Sequence, residues 1–182
     1  MARMILGGLA AALLVSSAPM MAAAQTPSVP ERTGVNSTLG VAPSTQDFVT
    51  QAAISDMAEI ESSKLAVAKT DGKTKAFAEK MIKDHTETST ELKGLVTGGK
   101  VKANLPGAMD SAHQSKIDKL KGLSGASFTK EYDDMQVAAH KDAVSLFERY
   151  SKSGENADLK AFAGKTLPHL QMHLKMAEDL KK

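Results

Sequence analysis

The spacing of chain breaks between long amphipathic segments constrains this sequence more than any other feature. From about Thr45 onward, apolar residues recur at three and four positions, the period of a helix buried on one side, without convincing period-two alternation. The first segment runs from about Thr45, with Asp47 in its first turn, to Thr70, where Asp71 and Gly72 close it. Thr74 begins the second, with the stripe Phe77, Met81, His85, Leu92 and Val96. Gly98-Gly99 and Pro106-Gly107 then break the chain before a short helix from about Ser111 to Lys121. The third long helix starts near Ser127 and carries Phe128, Tyr132, Met135, Ala139, Leu146, Phe147 and Tyr150. After the turn from Ser151 to Asn156, the fourth spans about Ala157 to Leu180.

The connection lengths decide the topology. About three residues join the first two helices and a similarly short turn joins the last two, so each pair is an antiparallel hairpin. Roughly thirty residues separate the hairpins, far more than an up-down-up-down bundle needs. The predicted fold is therefore all-α: a ferritin-like four-helix bundle of two hairpins joined by a long crossover that contains the short helix. In that arrangement the second and third long helices run parallel.

The residues before Thr45 read differently. Met1, Ala2 and Arg3 form a short positive region, Ile5 to Val15 is almost unbroken Leu, Ala, Gly and Val, and Ala22, Ala23 and Ala24 supply a small-x-small cleavage pattern. The apolar run is too short for a permanent span. Residues 1–24 are expected to be a signal peptide cut after Ala24, which places the mature chain in the periplasm or outside the cell. Residues 25–44, rich in Pro, Ser, Thr and Gly, bury too little surface to offset their ordering entropy and are expected to be a flexible linker. Residues 45–182 then form one bundle domain. Cysteine is absent, so neither a disulfide framework nor a lipid-modified cysteine is available. With Arg3 removed, the formal charge falls from +2 to about +1, and aromatic residues are 4% of the chain. Neither a basic patch nor a stacking platform for nucleic acid is present.

The informative residues are polar ones inside the apolar arcs, located by advancing about 100° per residue. Asp56, Glu59 and Ser63 share the arc of the first helix, and His85 sits mid-arc in the second. Asp133, Gln136 and His140 fall within the third, and His169 and His173, one turn apart, lie on the fourth. A carboxylate or imidazole taken out of water needs a partner, and four facing helices can gather these groups at one place. Glu59, His85, His140 and His173 make a candidate metal set, with Asp56 and His169 as secondary candidates. Three nitrogens and one oxygen suit a divalent transition metal: zinc, copper, nickel or iron. Met172 and Met176, beside the two histidines of the fourth helix, would suit copper(I). Pro168 removes a helix hydrogen bond and is expected to bend the helix just before His169. His113, with Ile117 and Leu120 on the short helix, is expected to pack.

Four strings carry a family resemblance over about residues 45 to 180: "FVTQAAISDMAEIESSKLA", "FAEKMIKDH", "SFTKEYDDMQVAAHKDAVSLF" and "LKAFAGKTLPHLQMHL". They resemble the exported bacterial family catalogued as domain of unknown function 4142, grouped with ferritin-like folds and often labelled outer-membrane proteins. The resemblance implies recurring polar positions at Glu59, Asp84, His85, His140, Pro168 and His173. It implies a fold more than a function. The di-iron pattern needs a Glu-x-x-His on each of two helices, which this chain lacks, so iron storage and oxygen activation are not expected. Barrel strands are not present in the sequence pattern either. No Cys nucleophile and no Gly-x-Ser-x-Gly elbow point to an enzyme. Two readings of function stay open: a metal-binding protein, and a non-catalytic envelope-stress or interaction module whose buried cluster is structural. In the second, imidazoles charging near pH 6 would loosen the bundle in acid, and a flat melting temperature from pH 7.5 to 5 would exclude that device.

Overall fold

The computed structural model describes residues 28–32 and 34–182. The expected signal peptide, residues 1–24, and the cut after Ala24 lie outside the described residues. The fold is all-α, with no strand among the described residues. Its helices are α1 (Val29–Arg32), α2 (Val35–Leu39), α3 (Thr45–Lys69), α4 (Gly72–Thr97), α5 (Ser111–Lys121), α6 (Gly125–Ser153) and α7 (Ala157–Leu180).

Local chemistry sets the helix starts. The Ser44 hydroxyl accepts from the Asp47 amide at the head of α3, Asp110 caps α5 at the His113 amide, and Asn156 caps α7 at the Leu159 amide. Helices α4 and α6 begin two residues before the expected Thr74 and Ser127, at Gly72 and Gly125. Both glycines have positive φ, 53° and 54°, a conformation other residues rarely adopt. In the sequence they look like breakers; in the fold they turn the chain into the next helix.

Side-chain contacts fix the directions of the long helices. Phe48 meets Tyr150 with ring centroids 4.3 Å apart, and the Ser63 and Tyr132 hydroxyls are 2.9 Å apart, so α3 and α6 are antiparallel. The pairs Asp84–His173 and Glu91–Lys165 do the same for α4 and α7. A tight turn at Thr70 and Asp71 sends α4 back along α3. It follows that α4 and α6 run parallel. The connection between them carries α5, which packs on α3 and α6. No helix of the described residues is long and apolar enough to cross a membrane.

The core is divided along its length. One apolar cluster gathers Phe48, Leu92, Phe147, Tyr150 and Phe162, and another gathers Phe77, Met81, Leu120, Phe128 and Tyr132. Between them lies a buried polar layer: Asp56 and Glu59 from α3, His85 from α4, Gln136 and His140 from α6, and His173 from α7.

The expected linker differs from expectation in its described part. Residues 28–44 hold α1 and α2, and their anchor is polar. The Arg149 guanidinium donates to Glu31 at 2.5 Å and to the Val41 carbonyl at 2.6 Å, while the Ser28 amide and hydroxyl donate to Asp47. Burial pushes the Glu31 carboxyl up, but hydrogen bonds from Arg149, Asn36 and Gln51 prevail and hold it below its ordinary value. A low apolar content correctly signals little hydrophobic burial, yet it is blind to a buried ion pair made by a residue more than a hundred positions away.

Candidate metal centre

Helices α3, α4, α6 and α7 each deliver part of the polar layer. From α4, His85 points toward α3, where its Nδ1 lies 2.8 Å from Asp56 Oδ1; the other oxygen of Asp56 accepts from Ser89 at 2.9 Å. From α6, His140 Nδ1 lies 2.9 Å from the Gln136 carbonyl one turn back. From α7, His173 Nε2 lies 2.8 Å from Asp84 Oδ2. A carbonyl and an ionised carboxylate only accept, so in each contact the imidazole N–H donates. The remaining nitrogens, His85 Nε2, His140 Nε2 and His173 Nδ1, are buried with no hydrogen-bond partner.

Those imidazoles face one another. Their ring centroids are 5.5 to 5.7 Å apart, and one nitrogen from each falls within 4.8 Å of the others. Metal–nitrogen bonds of about 2 Å hold tetrahedral donors about 3.3 Å apart, so each ring would advance by about 1 Å to close on an ion. Outer nitrogens tied to a carboxylate or a carbonyl, with inner nitrogens free, are the arrangement that orients histidine for a metal.

Electrostatics separates the three rings. Burial pushes His140 down to about 4, helped by the neighbouring His85. Burial also pushes His173 down to about 4, against the Asp84 hydrogen bond. At neutral pH both rings are therefore uncharged. Burial works against a charge on His85 too, but the hydrogen bond and charge of Asp56, with Glu59 and Asp84, raise it above its ordinary value.

Glu59 completes the layer without joining the nitrogen triad. It is 2% exposed, and neither carboxylate oxygen has a hydrogen-bond partner. Burial pushes its carboxyl up to about 7, against the pull of His85. The nearby Gln136 amide, which donates to Ser62 at 3.3 Å, also pulls the carboxyl down. The chemistry on offer is thus three imidazole lone pairs and a carboxylate whose charge is poised near neutrality, a set suited to a first-row divalent cation.

Other expected members fall elsewhere. His169 is exposed and is not a ligand in this geometry, because a shift of four positions turns it about 40° from His173, past the edge of the buried arc. Asp56 holds His85 rather than facing the triad. Met172 is 41% exposed and Met176 packs against the second apolar cluster, so the copper(I) thioether set is not assembled. Pro168 stands inside α7 without ending it. His113 is half-buried and bonded to its own cap residue, Asp110, at 2.8 Å. Arc reading missed Asp84, since adjacent residues diverge by about 100°. That divergence is what serves the site: His85 turns toward α3 while Asp84 reaches α7.

The family profile described as Domain of unknown function (DUF4142) matches residues 30–180. No curated protein matches the chain. No solved structure matches it.

Proposed function

We propose, for a chain that belongs to the DUF4142 family, a domain of unknown function, that it is an exported metal-binding protein. Its architecture is a ferritin-like four-helix bundle, and it holds one divalent transition metal on His85, His140 and His173. The observation that carries the reading is the orientation of the three rings: each is tied on its outer nitrogen and presents an unpartnered nitrogen to the others. Random burial of histidine gives satisfied rings, not three rings that each keep an unpartnered nitrogen and bring one nitrogen apiece within 4.8 Å of the others. Zinc, copper(II), nickel and iron(II) fit the donors, and intrinsic affinity favours copper(II). Glu59 supplies an oxygen as the fourth donor or accepts a hydrogen bond from a bound water. Export to the periplasm rests on the amino-terminal pattern from Met1 to Ala24.

Elemental analysis of protein purified without chelator or affinity tag tests the proposal. One equivalent of metal is expected in the wild type and none in His140→Ala or His173→Ala. Metal-free wild type, with variants merely less stable, would instead make the layer structural and favour the interaction-module reading.

The outer partners make a graded prediction. Asp84→Asn keeps an oxygen near His173 Nε2 but loses the charge, and metal affinity is expected to fall about 10- to 100-fold in competition with a chromophoric chelator. Unchanged affinity would show that Asp84 does not tune the site.

A further inference from the structure

The three imidazoles are buried from water, so an ion needs a path to reach them. A cleft of about 580 Å³ runs between α3, α5, α6 and the α2 segment. Of the six buried polar residues in the layer, Glu59 alone lines it. Its carboxylate is buried with neither oxygen bonded, lines the cleft, and is close enough to His85 for their charges to act on each other. Farther out, the wall carries Asp110, His113 and Asp142. His113 repeats the pattern of the inner rings, with Nδ1 held by a carboxylate at 2.8 Å. Of the cationic groups along the cleft, Arg149 is engaged by Glu31, and Lys116 is an exposed residue of α5. The opposite side of the layer is guarded differently: there Lys80 pairs with Asp84 at 2.7 Å, so a cation approaching between α4 and α7 meets an ammonium.

Resting on the three-histidine reading, we infer that this cleft is the path by which the divalent cation enters and leaves, with Glu59 passing it to the imidazoles. A carboxylate with both oxygens free can hold a partly hydrated ion on one side while nitrogen donors replace its waters on the other. The Asp110–His113 pair is the outer station on the same path.

A route differs from a binding site in its kinetics: obstructing it slows uptake and release by the same factor and leaves the equilibrium unchanged. Ala112, on the exposed side of α5, and Ala139, on α6, both line the cleft. Cobalt(II) uptake by stopped-flow absorbance, and release to excess chelator, would be compared in wild type, Ala112→Phe and Ala139→Leu. In both variants, uptake and release are expected to slow by at least about tenfold, with Kd within about twofold and one equivalent still bound. Glu59→Gln is expected to slow uptake at least as much. Unchanged rates in both narrowed variants, at full occupancy, would overturn the route and leave the site standing. Failure of the wild type to bind cobalt(II) at all would overturn both.

Discussion

Replacing Glu59 with glutamine is expected to change how stability depends on pH, by roughly 3 kcal/mol between pH 8 and pH 5 in metal-free protein. The Glu59 carboxyl has an ordinary value of 4.5 and is pushed up to about 7 by burial. A group held more tightly protonated in the fold contributes stability that is fully present below 4.5 and is lost as pH rises through 7. His140 and His173 have the opposite sign. Depressed from 6.5 to about 4, they contribute stability that is present above 6.5 and is lost as pH falls toward 4. Across the same window Asp133, pushed up to about 6 mainly by burial, sides with Glu59. The wild-type profile therefore sums opposing contributions: Glu59, Asp133 and the raised His85 gain as pH falls, while His140 and His173 lose. A glutamine amide in place of the carboxyl would not titrate, so the variant would lose stability relative to wild type as pH falls from 8 to 5. Urea unfolding at both pH values, with metal stripped by chelator, measures the difference. Parallel wild-type and variant profiles would sink the assignment. Because these contributions oppose one another, the wild-type profile reports only their sum, and the variant is needed to separate the histidines from Glu59.

Phe48→Ala is expected to cost about 3–5 kcal/mol, the range for emptying a fully buried aromatic site. Phe48 has no exposed surface, and its ring meets Phe147, Tyr150 and Phe162 at 4.9, 4.3 and 6.4 Å between centroids. These contacts tie α3 to both helices of the second hairpin at one end of the core. A drop in Tm of about 10–15 °C would follow for a chain of this size. Because the aromatic cluster and the histidine layer are separate, the variant should still bind one equivalent of metal below its melting point. A loss under about 1 kcal/mol would mean that this end of the core repacks freely, far below the usual cost of such a truncation. Loss of metal at low temperature would mean that the two regions are coupled.

The architecture was legible because its signals are local and repeated. Apolar periodicity marks α3, α4, α6 and α7, and connection length alone pairs them into hairpins. The site was legible by face but not by depth: an arc places His85, His140 and His173 inward without saying that they meet at one level. That level follows from how far each hairpin slides along the other, which the aromatic contacts at the ends settle. Asp84 escaped the arcs because its partner is on a neighbouring helix, and His169 entered them because a displacement of about 40° is small in a sequence plot and large at a helix interface. The Arg149–Glu31 anchor left no local pattern at all, since its two ends are 118 residues apart.

The tethered rings have a consequence for the folding landscape. Natural sequences are minimally frustrated, with each local choice agreeing with the global fold. The histidine layer breaks that rule: three acceptors converge where no donor stands between them, and apolar side chains of similar volume would serve stability better. A proton on His85, or a metal ion shared by all three rings, relieves such a conflict. Metal binding would then expel that proton, so the cation and acidity compete for one cage.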